Sequence, residues 1–165
     1  MQLTACPSIL LFGALRLHQL LYRMNQNPAK VINVVAGLIY KDRRLLVCQR
    51  RADGVFPLKW EFPGGKVEDC EADIDALRRE LREELTIEMR EAVLVYQHTH
   101  RYPGGPAVSL RFYFIHGFDG EAQNLVFEKI SWVKVADLEH IDFLEGDRPI
   151  IEKLLVEGDS LLLGT

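Results

Sequence analysis

Hydrophobic and polar residues alternate along the chain from residue 31 onward, which is the period of half-buried β-strands. Two apolar segments, residues 31–40 and 45–50, flank the polar residues 41–44. This pattern predicts two antiparallel strands joined by a tight hairpin. The segment 51–59 that follows is expected to be a loop.

A second group of strands is predicted in the C-terminal half of the chain. Residues 91–100 and 107–118 are rich in aliphatic and aromatic side chains, and Tyr-Pro-Gly-Gly-Pro at 102–106 separates them as a strong turn sequence. A further strand is expected at residues 129–135, after a loop at 119–125. The sequence contains no internal repeat or low-complexity tract.

Between these groups the apolar spacing changes to that of a helix. The apolar positions are Ile74, Leu77, Leu81 and Leu85. They predict an amphipathic helix that packs on the core with one face. Asp69 or Glu71 is expected to cap its start, and acidic residues in the first turn suit the positive end of the helix dipole.

A second helix is predicted at residues 148–158, near the end of the chain. Asp147 occupies the expected N-cap position, and Pro149 lies in the first turn, where proline is tolerated. Strands combined with one central and one C-terminal helix predict an α+β sandwich.

Three glutamates of the central helix, Glu80, Glu83 and Glu84, recur at positions i, i+3 and i+4. At 3.6 residues per turn they fall within an arc of roughly 100° on one face, where like charges repel. A divalent cation relieves that repulsion, and oxygen ligands favour Mg²⁺ or Mn²⁺ over zinc. Arg79 lies four residues before Glu83 and is placed to pair with an acid.

The segment just before the helix, Trp-Glu-Phe-Pro-Gly-Gly-Lys at 60–66, predicts a strand that runs into a glycine turn. Adjacent glycines allow the backbone to approach a ligand closely, so the carbonyl of Gly64 is a candidate metal ligand. Lys66 is placed to meet phosphate charge.

An acidic helix face is by itself usually only solvated, but the joint pattern is much more specific. From Gly65 to Ile87 the chain has G-x5-E-x7-R-E-L-x-E-E-x-T-I, preceded by E-F-P-G-G-K. This resembles the Nudix box, G-x5-E-x7-R-E-U-x-E-E-x-G-U, where U is aliphatic. The one departure is Thr86, which stands where the family has the glycine that ends the catalytic helix. We expect this change to affect stability modestly and to spare the chemistry.

The resemblance covers about residues 31–156 and implies the family's α/β/α sandwich with a mixed β-sheet, the catalytic loop and helix in the middle and a C-terminal helix. It implies a metal site formed by four residues, Gly64, Glu80, Glu83 and Glu84. Glu80 is then the catalytic base or water-orienting group, and Arg79 and Glu71 support the loop and helix.

The lead-in W-E-F-P-G-G-K is similar to the MutT-like branch, which implies hydrolysis of (deoxy)nucleoside triphosphates to monophosphate and pyrophosphate. Oxidised nucleotides such as 8-oxo-dGTP are the leading expectation, followed by CTP-like substrates. Two alternatives stay open: hydrolysis of another nucleoside diphosphate derivative such as ADP-ribose, and a silent ligand sensor. Sensors typically lose box glutamates, whereas all of them are present here.

Three further residues are candidates for substrate contact. Arg50 and Arg51 are neighbours at a strand end and point to opposite faces, so only one of them can enter the cleft. Similarity to MutT-like proteins favours Arg50. Phe62 either offers an aromatic wall to the base or packs in the core. Asp147 corresponds to a base-recognising Asn or Asp, or it only caps the C-terminal helix; both roles are compatible.

Composition narrows the class of partner. A net charge of −4 disfavours a nucleic acid polymer and is compatible with a small nucleotide escorted by a cation. Three cysteines without a C-x-x-C pair fit the reducing cytoplasm. No stretch is apolar and long enough to suggest a membrane span, and the sequence leaves the oligomeric state open.

The leucine-rich residues 1–23 have no basic region of the kind that opens a secretory signal. We interpret them as an N-terminal extension that either precedes a native start at Met24 or forms an amphipathic surface helix. Residues 24–165 are then expected to form a single domain.

Overall fold

The computed structural model of the chain describes residues 31–158 and residue 160. The predictions for residues 1–23 and for a start at Met24 lie outside the described residues. The strands are β1 (Ile32–Lys41), β2 (Arg44–Gln49), β3 (Trp60–Glu61), β4 (Gly64–Lys66), β5 (Glu88–Met89), β6 (Ala92–Arg101), β7 (Ala107–Ile115), β8 (Phe118–Asp119) and β9 (Lys129–Val133). The helices are α1 (Asp73–Leu85), α2 (Arg148–Glu157) and two 3-10 turns, Val135–His140 and Glu145–Asp147.

Seven of the described strands form one mixed sheet in the order β3-β2-β1-β7-β6, with β4 also paired to β1 and β9 to β2. β1 and β7 are parallel over eight residue pairs, whereas the other pairings in this sheet are antiparallel. The predicted α+β class with a mixed sheet and a C-terminal helix is therefore confirmed.

The hairpin predicted between β1 and β2 is present, with Lys41 opposite Arg44. Its two central residues, Asp42 and Arg43, have φ angles of 50° and 59°. Left-handed values at both positions are those of a two-residue type I′ turn, which matches the twist of the flanking strands.

One helix covers each face of the sheet, so the core has two layers. Side chains alternate along β1: Val35 and Ile39 pack towards α1, whereas Ala36 and Leu38 pack with the cluster that includes α2. Because both faces are covered, Val35 to Ile39 is continuously buried, apart from the absent side chain of Gly37. The three leucines of the predicted α1 stripe, Leu77, Leu81 and Leu85, are fully buried.

Several predicted boundaries were wrong for identifiable reasons. β7 ends at Ile115, because Gly117 with φ 86° breaks the strand and the chain then forms β8 against β5. The strand predicted at residues 129–135 ends at Val133. The segment 60–66 forms two short strands, since Trp60 pairs with β2 whereas Gly64 pairs with β1.

The predicted cap of α1 was also wrong. Ala72 is the N-cap residue and makes no side-chain capping bond. Glu71 instead accepts hydrogen bonds from Arg79 and from the N–H of Glu68. Helix α2 does begin after Asp147, but the Asp147 side chain makes no capping bond there.

The apolar stripe of α1 gives the first prediction. Leu81 is completely buried, so Leu81→Ala is expected to lower the free energy of unfolding by roughly 2–5 kcal/mol. Val156 on α2 is 86% exposed, and Val156→Ala is the matched helical control with an expected change below about 0.5 kcal/mol. Urea denaturation measures both; equal losses would contradict the assignment of Leu81 to the core.

Candidate active site

Two glycines bring the loop before α1 into close contact with its neighbours. Gly64 has φ 145°, and a Cβ there would clash with the carbonyl oxygen of Val35 on β1. A Cβ at Gly65 would clash with the carboxylate of Glu80. Gly64 therefore lets the loop pair closely with β1, and Gly65 leaves room for the Glu80 carboxylate.

Arg79 joins the loop to the helix through four hydrogen bonds to three groups. Its Nε and Nη2 atoms donate to the two oxygens of Glu71, both at 2.9 Å. Nη2 also donates to the Lys66 carbonyl at 3.0 Å, and Nη1 donates to Glu80 at 2.8 Å. The carboxylate of Glu83 is farther from Nη1, at 3.7 Å. Arg79 thus fixes the loop ends and one glutamate of the acidic face together.

Glu71 is held in its ionised form by this network. The bidentate hydrogen bonds from Arg79, supported by the N–H of Glu68, lower the pKa of Glu71 to about 2. A carboxylate already bonded to three N–H groups has little capacity left for a metal ion, so Glu71 is a structural support for the loop.

Glu84 has the opposite environment. Burial, followed by the negative charges of Glu80 and Glu61, raises the pKa of Glu84 to about 8, although a backbone hydrogen bond from Gly64 opposes the shift. Its Oε2 atom is buried without a hydrogen-bond partner. Carboxylates crowded together with an orphan oxygen are short of positive charge. This donor set fits a hard divalent cation.

The three helix glutamates are not yet arranged as a closed metal cage. Glu80 is turned to Arg79, and the Glu83 side chain is 61% exposed. Among residues 31–158 and 160, no group of three His, Cys, Asp or Glu side chains lies at metal-binding spacing. A cation bound by Glu83 and Glu84 would need only side-chain rotation to recruit Glu80, since α1 already carries all three on one face.

Arg50, the predicted substrate contact, already has an acidic partner. Its Nη1 donates to both oxygens of Glu61, at 3.0 and 2.8 Å, and its Nε donates to the Val55 carbonyl at 2.7 Å. Arg51 points away and pairs with Asp53. Glu61 was not among the predicted site residues. The available signal was its place in the E-F-P-G-G-K lead-in.

Asp147 is buried, with 4% of its surface exposed. Its Oδ2 accepts a hydrogen bond from the N–H of Phe62 at 3.3 Å. Burial, followed by the charge of Glu61, raises the pKa of Asp147 well above its usual range, so its carboxyl favours the protonated form. The pKa of Glu61 is also raised, with burial as the main cause.

Phe62 does not offer an aromatic wall. Its side chain is 3% exposed and its ring packs on Phe112 and Phe143, with centroids 6.3 and 5.4 Å apart. The aromatic-wall interpretation is therefore corrected: Phe62, which directly follows β3, packs in the core, and only its backbone N–H contributes to the site through Asp147.

Comparison with known proteins identifies a family whose motif includes these glutamates and this loop. The family model described as NUDIX domain matches residues 30–154, which is most of the chain. The chain belongs to the NUDIX family. It is accordingly a Nudix hydrolase, an enzyme that acts on acid anhydrides, as the glutamate motif predicts.

Two relatives and one solved structure illustrate the Nudix similarity. The CTP pyrophosphohydrolase of Escherichia coli is 34% identical over 126 residues, which cover 76% of this chain and 93% of the relative. The 8-oxo-dGTP diphosphatase of Haemophilus influenzae is 33% identical, covering 81% and 98%. The solution structure of the E. coli ORF135 protein matches with a TM-score of 0.70 at 33% identity, covering 78% and 91%.

Around the Nudix centre, Lys66 is exposed at the end of β4, beside the loop that Arg79 holds.

A small cavity of about 160 Å³ lies beside the 3-10 turn that contains Asp147. Its lining residues are Phe56, Lys59, Tyr102, Pro103, Leu144 and Glu145. A larger hollow of about 720 Å³ is lined by residues of the β1–β2 turn and the α2 end, and none of the predicted site residues contributes to it. In the part of the chain that the structure describes, no helix is long and apolar enough to span a bilayer.

The raised pKa of Glu84 predicts a pH dependence of stability in the metal-free Nudix domain. An unfolded glutamate titrates near about pH 4.3, so between there and about 8 the folded chain binds the extra proton. The stabilising contribution is therefore complete at low pH and is lost as the pH rises through about 8.

Glu84→Gln removes this dependence. Unfolding free energies measured with a chelator from pH 5 to pH 9 should nearly coincide at the acidic end, with the variant the more stable at the alkaline end. Parallel curves across the whole range would show that Glu84 does not titrate as its surroundings imply.

Proposed function

We propose that this Nudix hydrolase converts (deoxy)nucleoside triphosphates to monophosphate and pyrophosphate with a divalent cation, Mg²⁺ or Mn²⁺. The observation that carries the proposal is the partly buried Glu84 carboxylate, whose Oε2 atom is buried without a hydrogen-bond partner and whose pKa is raised to about 8 next to Glu80 and Glu61. Such a site stores charge repulsion that a cation, and the anionic substrate it brings, would relieve.

Three groups are proposed to hold the cation: Glu83, Glu84 and the Gly64 carbonyl, with Glu80 as a further ligand when it rotates from Arg79. The cation supplies charge neutralisation for phosphate oxygens and lowers the pKa of water. Lys66, exposed at the edge of the same loop, adds positive charge for the phosphates.

The proposed reaction is an in-line displacement at the β-phosphorus, as the family resemblance implies. A water oxygen bonds to the β-phosphorus while the bond from that phosphorus to the α,β-bridging oxygen breaks. The Glu80 carboxylate accepts the water proton, and the bridging oxygen leaves with the nucleoside monophosphate. The water oxygen ends in pyrophosphate. Arg79 and Glu71 act only by holding the loop in position against α1.

Base recognition is proposed for Arg50, Glu61 and Asp147, which are coupled across the cleft. A protonated Asp147 carboxyl has one donor and one acceptor, so it suits a base edge that presents an acceptor beside a donor. Both 8-oxoguanine and cytosine have such edges, in line with the named activities of the two relatives. We take 8-oxo-dGTP as the leading substrate and CTP-like nucleotides as the next.

The enzyme is proposed to work on free nucleotides in the cytoplasm. The described thiols, Cys48 and Cys70, are both unpaired, one buried and one exposed, which fits a reducing compartment. The role in the cell would then be sanitation of the nucleotide pool.

A substrate panel in ¹⁸O-labelled water tests the proposal. With Mg²⁺ or Mn²⁺, 8-oxo-dGTP, dGTP, CTP and ADP-ribose are compared for monophosphate and pyrophosphate release, and mass spectrometry locates the label. We expect a triphosphate to be preferred and the label to appear in pyrophosphate. Label in the monophosphate would move the attack to the α-phosphorus, and preference for ADP-ribose would overturn the substrate class.

Substitution of Glu83 tests the metal site separately. Its side chain is 61% exposed, so Glu83→Gln should fold normally while losing a charged ligand. We expect kcat to fall roughly 10²- to 10³-fold, about 3–4 kcal/mol of barrier. Glu152→Gln, on the exposed face of α2, is the matched control and should keep wild-type turnover. Near-normal kcat for Glu83→Gln at saturating Mg²⁺ would remove Glu83 from the site.

A further inference from the structure

The C-terminal end of α1 is capped by a distant segment of the chain. Residues 120–125, here called the strap, lie against the last turn of the helix. The N–H of Gln123 donates to the Leu85 carbonyl at 2.9 Å, and the N–H of Leu125 donates to the Glu84 carbonyl at 3.0 Å. The last carbonyls of a helix have no partner within it, so the strap completes the hydrogen bonding of this turn.

Thr86 follows this turn in a left-handed conformation, with φ 59° and ψ 21°. Its N–H donates to the Arg82 carbonyl at 3.1 Å, which is the usual backbone bond of a left-handed helix end. Glycine adopts this conformation freely, whereas a β-branched residue is strained in it. The threonine side chain must therefore contribute something that glycine would not.

The hydroxyl of Thr86 bridges the helix and the strap. Oγ1 lies 2.7 Å from the Leu85 carbonyl oxygen, which belongs to the helix, and 3.3 Å from the Glu121 carbonyl oxygen, which belongs to the strap. A hydroxyl has one proton, so it is shared between these two acceptors. The contact closes the side of the last turn that the strap N–H groups do not reach.

The strap also leads to the opposite wall of the cleft. Asn124, near the end of the strap, and Phe127 exchange two hydrogen bonds of 2.9 Å that close a small ring. The N–H of Glu128 then donates to the Gln49 carbonyl, next to Arg50, at 2.9 Å. The segment therefore joins the backbone of Glu84 to the backbone beside Arg50.

From these contacts we propose that Thr86 is a positioning residue, whose hydroxyl clamps the strap onto α1 and so fixes the backbone of Glu84 in the cleft. The inference rests on the proposed function for the role of Glu84 as a ligand. In this chain, strain at one helix end is exchanged for a defined separation between Glu84 and Arg50.

Two substitutions separate this role from a purely structural one. Thr86→Gly relieves the backbone strain and removes the hydroxyl, whereas Thr86→Ser retains the hydroxyl. In Thr86→Gly, relief of the strain and loss of the hydroxyl contact act in opposite directions, so we expect only a small net change in Tm. The same variant should speed amide exchange at Gln123 and Leu125 about 5- to 10-fold, the effect of losing one hydrogen bond. Its Kd for Mn²⁺, followed by electron paramagnetic resonance, should rise several-fold.

Thr86→Ser should return both amide exchange and Mn²⁺ affinity to wild-type values. Asp42→Gly is the matched control, because Asp42 has φ 50° in the β1–β2 turn, away from the strap. It relieves similar strain and should leave exchange at the strap and Mn²⁺ binding unchanged.

Each possible failure has a distinct meaning. Wild-type amide exchange at Gln123 and Leu125 in Thr86→Gly would refute the clamp. Faster exchange with an unchanged Mn²⁺ Kd would refute the link from the strap to Glu84. If the wild-type protein bound no Mn²⁺ at all, the proposed function would fail and the positioning of a metal ligand with it, while amide exchange would still report on the clamp.

Discussion

The arrangement of the site depends on the Arg79 guanidinium, which binds the Glu71 carboxylate, the Lys66 carbonyl and Glu80 at once. The loop before α1 has few apolar anchors of its own, and its glycines leave the backbone free in the unfolded chain. A planar guanidinium with five donors can fix several acceptors in one geometry, which a lysine could not do. Together with the pairing of β4 with β1 and the buried leucines of α1, this side chain holds the loop against the acidic face.

Next to Arg79, the fold brings several carboxyl groups together in a partly buried site, where their negative charges repel one another. Burial and mutual repulsion raise the pKa values of Glu84, Glu61 and Asp147, whereas Glu71 is shifted in the opposite direction by its arginine. A carboxyl group is thus held as an anion or shifted towards its protonated form according to its neighbours. In the proposed function, the stability given up by the metal-free site would become binding free energy for a cation and its anionic substrate.

Backbone strain also occurs close to the site, at the end of α1. Thr86 ends the catalytic helix in a conformation that suits glycine, and the strap supplies hydrogen-bond partners for the carbonyls of Glu84 and Leu85. The ends of a helix have the least internal hydrogen bonding, so the last turn of α1, which carries Glu84, depends on partners from outside the helix. The strap gives that support from a part of the sequence more than thirty residues away.

The sequence by itself determined the α+β class, the apolar face of the central helix and the candidate carboxylates, because these follow from local periodicity and from the fixed spacing of one continuous motif. It failed at the cap of α1 and left the role of Phe62 open, since either side of a short strand can face a core. Only the tertiary structure decided that Glu61 pairs with Arg50, that Asp147 is buried against Phe62, and that the strap caps α1. Those contacts join segments far apart in the chain, and burial and charge at each depend on neighbours that local pattern does not encode.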